Sequence, residues 1–304
     1  MPTPLSVNAR SPLLAQADRM GALDREVERL GRQIALGERF TTPSEDPAAA
    51  NRAAQLLRLD SRLEADQRSL TRAEGRLALA ETAVGTASSA LLRARELALM
   101  AASDTLTPQD RQVIAREVEV LRTQLLDAAN ARDESGLHLF AGARNGQPAY
   151  VQLPDGGIEW QGFDRAAGAE AAGIGRTASP PGPLLFGAGD GSAFAVLGDL
   201  AEALAESDQA LRQTQMVSVL SGLERATDRL LDGQSRIGAG RARIGDEADR
   251  LAEARLQTAE ALSAAKGLDM TAAITRLDAL KTTLEAAQAS FAHIYDGTLF
   301  DRIG

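Results

Sequence analysis

Residues 47–102, PAAANRAAQLLRLDSRLEADQRSLTRAEGRLALAETAVGTASSALLRARELALMAA, decide how this chain folds. Leu56, Leu63, Leu70, Leu77, Val84, Leu91 and Ala98 recur at every seventh position. A second row, Leu59, Ala73, Ala80, Ala87, Ala94 and Ala101, follows three residues behind and is interrupted only at Asp66. Two apolar rows at this spacing form a continuous seam on one face of a helix, the pattern of coiled-coil packing. An unbroken helix over these residues is on the order of 80 Å long at ~1.5 Å per residue. The sequence therefore predicts a rod, not a compact globule.

Start and stop signals flank this helix on both sides. Thr42, Pro43, Asp46 and Pro47 read as a hinge and cap, with Asp46 capping the helix and Pro47 at its first position, where the missing N–H costs nothing. Thr107, Pro108 and Asp110 repeat the signal for a second helix. This helix carries Ile114, Val118, Leu121, Leu125 and Ala128 on one face, which predicts an antiparallel hairpin with the first. Farther on, Leu223, Leu230, Ile237, Ile244 and Leu251 recur at every seventh position and give the first rod a partner of comparable length.

Aromatic residues make up 3% of the chain, and their placement divides it. Phe140, Tyr150, Trp160, Phe163, Phe186 and Phe194 fall in the middle, where Gly and Pro also concentrate. Candidate strands run over 137–140, 149–153 and 158–161, separated by Asn145-Gly146 and Asp155-Gly156-Gly157. Residues 166–192, rich in Gly, Ala and Pro, predict a loose loop, and helix resumes at Phe194. The expected fold is mainly α: a long antiparallel, coiled-coil-like rod built from N- and C-terminal parts, with a small β-rich insert. Its predicted divisions are an assembly helix (1–40), one half of the rod (41–136), the insert (137–193), the other half (194–265) and a second assembly helix (266–304).

Both ends repeat the seam on a smaller scale. Met20, Val27 and Ile34 alternate with Leu23 and Leu30. Near the other end, Leu277, Leu284 and Phe291 alternate with Leu280, Ala287 and Ile294, and Leu299 and Phe300 follow. Helices this short are marginal alone in water. Their partner is expected to be the opposite end of the same chain, then neighbouring copies, so these residues form the candidate polymer interface.

Composition narrows the function. The chain has 42 acidic against 33 basic residues, and this excess argues against a surface built to neutralise phosphates. Absence of cysteine removes disulfides, thiolate metal sites and cysteine nucleophiles. No stretch reaches the roughly 20 apolar residues of a membrane span. Residues 1–20 lack the apolar run of a cleaved secretory signal, so export, if it occurs, is expected by another route. Neither nucleic acid nor membrane is an expected partner. Only His138 and His293 are available for a histidine-centred triad or zinc site, and a packed or surface role suits each better. The run 187–192, GAGDGS, has the glycines of a phosphate loop but neither its lysine nor a preceding buried strand, so it reads as a flexible linker. Trp160 reads as core of the insert. No catalytic, cofactor or metal residue is assigned.

Three phrases go beyond periodicity. Residues 37–50, GERFTTPSEDPAAA, residues 129–142, ANARDESGLHLFAG, and the run 269–303 ending YDGTLFDRI resemble, in order, stretches of the flagellin family. The resemblance covers roughly residues 10–145 and 195–304. Its last phrase, together with Thr42-Pro43-Ser44-Glu45 before the Asp-Pro, resembles the family members that join hook to filament. A short filament subunit, or a cytoplasmic coiled-coil adaptor or chaperone, stands as the alternative. The resemblance implies export through the flagellar type III channel without a cleaved signal, aided by a chaperone at the C-terminal helix. It also implies self-association in a helical ring, with a neighbouring hook-associated protein and flagellin as partners. Physically, apolar stripes unsatisfied in one molecule would be buried between copies whose contacts do not close.

Overall fold

The computed structural model describes residues 10–103, 106–163 and 179–300, with the backbone alone at 10–13 and 294–300. The element order is α1 (Arg10–Leu36), α2 (Pro47–Ala101), α3 (Pro108–Ala129), β1 (Tyr150–Gln152), β2 (Ile158–Trp160), α4 (Pro183–Phe186), α5 (Ala193–Ala205), α6 (Gln209–Lys266) and α7 (Met270–Phe300). The mainly α expectation holds, since among the described residues the strands form a single two-stranded antiparallel sheet. The chain divides into two compact units, residues 1–63 with 253–304, and residues 64–252.

In the unit formed by residues 64–252, the seam of α2 is the core. Leu70, Leu77, Val84, Leu91 and Ala98 are buried, and so are Ala80, Ala87, Ala94 and Ala101 of the second row. The rows lose cover toward the helix start. Leu56 and Leu63 are half-buried, and Leu59, expected in the second row, is 42% exposed. The reason lies one residue away: Asp60 turns toward α6, with Oδ1 3.5 Å from Arg255 Nε, and this leaves Leu59 about 100° around the helix. On α6, 58 residues long, Leu223, Leu230, Ile237, Ile244 and Leu251 are all buried as the sevenfold spacing requires.

Thr107 and Asp110 start α3 with a reciprocal capping box: Asp110 N–H donates to Thr107 Oγ1 (3.2 Å) and Thr107 N–H to Asp110 Oδ2 (3.1 Å). The hydroxyl of Thr107, followed by its N–H, holds the Asp110 carboxyl below the usual carboxylate range. Its five expected apolar residues are buried. Arg93 on α2 pairs with Glu117 at 2.7 Å, and Arg76 pairs with Asp133 just past α3 at 2.8 Å. As the α2 residue number falls the partner's rises, so the hairpin is antiparallel as expected.

The middle segment is more ordered than its composition suggests. The four rings of Phe140, Tyr150, Phe186 and Phe194 are buried together with centroids 4.9–6.0 Å apart. The Tyr150 hydroxyl donates to Gly187 O at 2.8 Å, and burial pushes that phenol's pKa up. The loose loop expected over 166–192 is corrected where it is described, 179–192. Pro183 opens a helical turn that buries Leu185 and Phe186, and α6 receives Leu185 at Gly233, where a Cβ would lie 1.9 Å from Leu185 Cδ2. The glycine run 187–192 is pinned by the Tyr150 and Arg229 donors, the latter reaching Gly191 O at 2.6 Å, and is not a free linker.

The candidate strand 137–140 is corrected as well. Its pairing is a lone bridge between His138 and Arg132, because the chain doubles back immediately. Asp133 Oδ1 accepts the N–H groups of Ser135 and Leu137, and Gly136 takes φ +78°. His138 is buried with Nδ1 2.8 Å from Asn130 O, the packed role expected of it, while His293 lies exposed. Trp160 is only half-buried, on β2.

Candidate assembly surfaces

The terminal unit, 1–63 with 253–304, carries the candidate interface. In it, α1 packs against α7, and Arg276 Nη2 of α7 reaches Glu26 Oε1 of α1 at 2.8 Å. Leu30 is buried, whereas Met20, Leu23, Val27, Ile34, Leu277, Leu280, Leu284, Ala287 and Phe291 are half-buried. The structure thus gathers the two predicted seams onto one another and leaves each partly open. The side chains of Ile294, Leu299 and Phe300 lie outside the described residues.

Other apolar residues, absent from the seam reading, face outward on the same pair. Leu14 (66% exposed), Leu36 (63%), Met270 (42%) and Ile274 (46%) are the exposed large apolar side chains of α1 and α7 among the described residues. Met270 and Ile274 are four apart and so share one helix face. Met270 continues the sevenfold row of Leu277, Leu284 and Phe291 one step earlier in the chain, whereas Ile274 lies off that register.

The link between α1 and α2 is tightly built. Gly37, at φ +69°, ends α1 in a Schellman arrangement: its N–H donates to Ile34 O (3.3 Å) and Glu38 N–H to Gln33 O (3.2 Å). Asp46 Oδ1 accepts from Ala49 N–H at 2.9 Å, and Pro47 occupies the first turn of α2, the cap and proline expected there. Thr42 and Pro43 are exposed, and the Thr42 carbonyl accepts the Glu45 N–H. Phe40 packs with Ala49 and Ala53 as a small core.

The second link, between α6 and α7, lies directly against the first. Arg39 N–H donates to Lys266 O (2.7 Å), Leu268 N–H donates to Gly37 O (3.1 Å), and Lys266 Nζ pairs with Glu38 Oε1 (3.1 Å). Buried Gln33 donates from Nε2 to Arg39 O at 2.6 Å, with Glu45 Oε2 at 3.3 Å. Thr41 N–H, the largest influence, together with the Thr41 hydroxyl and Gln33, holds the Glu45 carboxyl below its ordinary range against a smaller opposing effect of burial. Sequence reading found the caps but missed Gln33, Glu38 and Lys266. The only local hint was an amide side chain on the apolar side of α1.

Charge is unequally shared between the units. Residues 64–252 hold 19 basic and 27 acidic side chains, whereas the terminal unit holds 14 and 15. Nearly all the net charge of −9 therefore lies outside the unit that carries the seams. Among the described residues no group of His, Asp and Glu is placed to hold a metal ion, and no helix is long and apolar enough to cross a membrane.

Comparison with known proteins bears on both units. Residues 7–145 match the bacterial flagellin N-terminal helical region, and residues 220–296 match the bacterial flagellin C-terminal helical region. Flagellar hook-associated protein 3 of Salmonella typhimurium is 30% identical over 128 residues, which are 42% of this chain and 40% of that protein. The protein of the same name from Escherichia coli is 30% identical over 132 residues, 43% of this chain and 42% of its own length. The matched stretches thus span about two fifths of these relatives. Among solved structures, a putative flagellar hook-associated protein from Vibrio parahaemolyticus aligns with TM-score 0.63 at 19% identity, over 73% of this chain and 99% of that one. FlgL of Xanthomonas campestris aligns with TM-score 0.58 at 17% identity, over 68% and 98%. At these identities the structural likeness speaks to the fold.

Proposed function

From the premise that this chain belongs to the bacterial flagellin family, whose N- and C-terminal regions both match it, we propose that it is a structural, non-enzymatic subunit of the flagellum at the junction of hook and filament. The observation that carries this reading is the paired but partly open seam of α1 and α7, flanked by exposed Leu14, Leu36, Met270 and Ile274. Apolar surface of this kind gains ~25 cal/mol per Å² when a neighbouring copy covers it. The interface comprises Met20, Leu23, Val27, Leu30, Ile34, Leu277, Leu280, Leu284, Ala287, Phe291, Ile294, Leu299 and Phe300, with Thr42, Pro43, Asp46 and Pro47 as the joint behind it. Concentration of net charge in residues 64–252 fits the same arrangement. The near-neutral terminal unit can pack densely among copies, while the acidic unit is better placed where solvent screens it.

Similarity to proteins named hook-associated protein 3 favours the junction over the filament. The partners are then further copies in a helical ring, a neighbouring hook-associated protein and flagellin. The chain would be exported through the flagellar type III channel without signal cleavage, with a chaperone on the C-terminal helix. The test is Leu284→Asp or Phe291→Asp in cells. An unpaired charge on the seam costs several kcal/mol, so incorporation should fail while residues 64–252 stay folded. Gold-labelled antibody on sheared flagella reads the outcome. Label confined to the hook end in wild type supports the junction role, label along the filament favours a filament subunit, and normal motility of either variant overturns the interface.

A further inference from the structure

Asparagine is followed by glycine once in this chain, at Asn145-Gly146. We infer that this pair is a site of spontaneous covalent modification, at which the Gly146 nitrogen closes on the Asn145 side chain and converts it to aspartate and isoaspartate. Asparagine is among the thermolabile residues, and a glycine after it lets the backbone fold onto the side chain with least hindrance. The structure leaves both reacting groups free. Gly146 is exposed and Asn145 half-buried, so water reaches the pair. Among the described residues the Gly146 N–H donates to no acceptor, although the Gln147 N–H beside it closes a turn on Arg144 O at 3.0 Å. The Asn145 carboxamide likewise makes no hydrogen bond among the described residues. Nothing lies within 4 Å of a Cβ placed on Gly146, so no neighbour obstructs the ring that must form.

The reaction balances with water alone. Gly146 N gives its proton to hydroxide and attacks Asn145 Cγ; the bond from Cγ to the amide nitrogen breaks, and ammonia leaves with a proton from water, closing a succinimide. Water then adds at either ring carbonyl. Breaking the ring bond to Cγ gives aspartate, whereas breaking the bond to the main-chain carbonyl leaves the chain running through Cγ as isoaspartate. Asn145 O accepts the His138 N–H at 2.7 Å, and turning the Asn145 carbonyl to bring Gly146 N onto Cγ breaks that bond, which sets the pace. In isoaspartate this carbonyl becomes part of a free carboxylate, so the loop 138–145 no longer closes along the same path. Either product adds a negative charge to the unit that already holds 27 acidic against 19 basic side chains.

The other sites of this chemistry are restrained. Asn130 commits its carboxamide twice to Tyr150, Nδ2 donating to Tyr150 O and Oδ1 accepting the Tyr150 N–H. Asn51 lies within α2 and is followed by Arg52. At Asp155-Gly156 the Gly156 N–H donates to Leu153 O and Asp155 Oδ1 accepts from Gly157 N–H, and a carboxylate is in any case a poor electrophile.

The test is incubation of the full-length protein in mildly alkaline buffer below its melting temperature. Peptide mass spectrometry and methylation by an isoaspartyl methyltransferase then read the products. Asn145 should convert with isoaspartate exceeding aspartate while Asn51 and Asn130 stay intact. Its rate should fall about tenfold below that of a free peptide of residues 141–150, the factor that opening one hydrogen bond implies. Gly146→Ala, where φ is not left-handed and a Cβ has room, should keep the melting curve and slow conversion by at least ~tenfold. The inference is overturned if Asn145 converts no faster than Asn130, if aspartate forms without isoaspartate, or if Gly146→Ala converts as fast as wild type.

Discussion

Leu91 and Leu92 are adjacent and chemically identical, but Leu91 lies in the α2 seam, fully buried, and Leu92 lies about 100° around the helix, 48% exposed. Leu91→Ala removes the buried group and leaves a cavity among packed neighbours, at a cost of ~2–5 kcal/mol. At Leu92 about half the side chain is already in water, so Leu92→Ala loses no more than ~1 kcal/mol of burial, offset slightly by alanine's better helix propensity. For a unit of this size 1 kcal/mol shifts the midpoint by ~2–4 °C, giving a fall of roughly 4–20 °C for Leu91 and under ~4 °C for Leu92. Urea and thermal melts followed by helical circular dichroism would read both variants. Fluorescence of the single tryptophan, Trp160, reports the same unit separately. Equal costs for the two alanines, or a larger one at Leu92, would refute the seam as the source of stability.

Arg76→Met should cost about 2–3 kcal/mol in urea unfolding, because it strips Asp133 of its ion-pair partner and removes the guanidinium that donates to the carbonyls of His138 and Leu139; Arg76→Lys should recover only part. Gly233→Ala should destabilise the protein despite better helix propensity, since the methyl collides with Leu185. Adding Leu185→Ala should cost less in that background than alone, and strict additivity in the double-mutant cycle would refute the contact. Burial, then Glu202 and Asp190, raise the Asp199 pKa, so the folded state disfavours its charge and Asp199 detracts from stability above the unfolded carboxylate pKa. Asp199→Asn should therefore stabilise at neutral pH, with a gain that shrinks as pH falls and Asp199 is protonated in both states; a gain that grows on acidification would contradict the assignment.

The parts of the fold that were legible in sequence are those set by local rules repeated many times. The sevenfold spacing identified α2 and α6 and their buried faces, and caps at Asp46 and Thr107 placed two helix starts. Isolated signals were overridden by tertiary context. Leu59 fits the second row by number, but Asp60 takes the side facing α6 through its pairing with Arg255. Leu184-Leu185-Phe186 was lost within a Gly- and Pro-rich run, although Gly233 on α6 leaves room for it. The link pairing was invisible for a different reason: Glu38 and Lys266 carry ordinary surface charges, and nothing local records a partner 228 residues away. The terminal seams themselves were legible as apolar spacing, and the structure brings their described members together on α1 and α7.

One consequence follows from the alanines that line α2. Where Ala80, Ala87, Ala94 and Ala98 are wholly enclosed, neighbouring backbones approach too closely for a bulkier group to be admitted without forcing them apart. Descendants of this chain can therefore vary in length more readily than in girth: adding one full repeat of seven to each long helix would keep every contact in phase, whereas a single extra methylene at one of these sites would strain its whole neighbourhood.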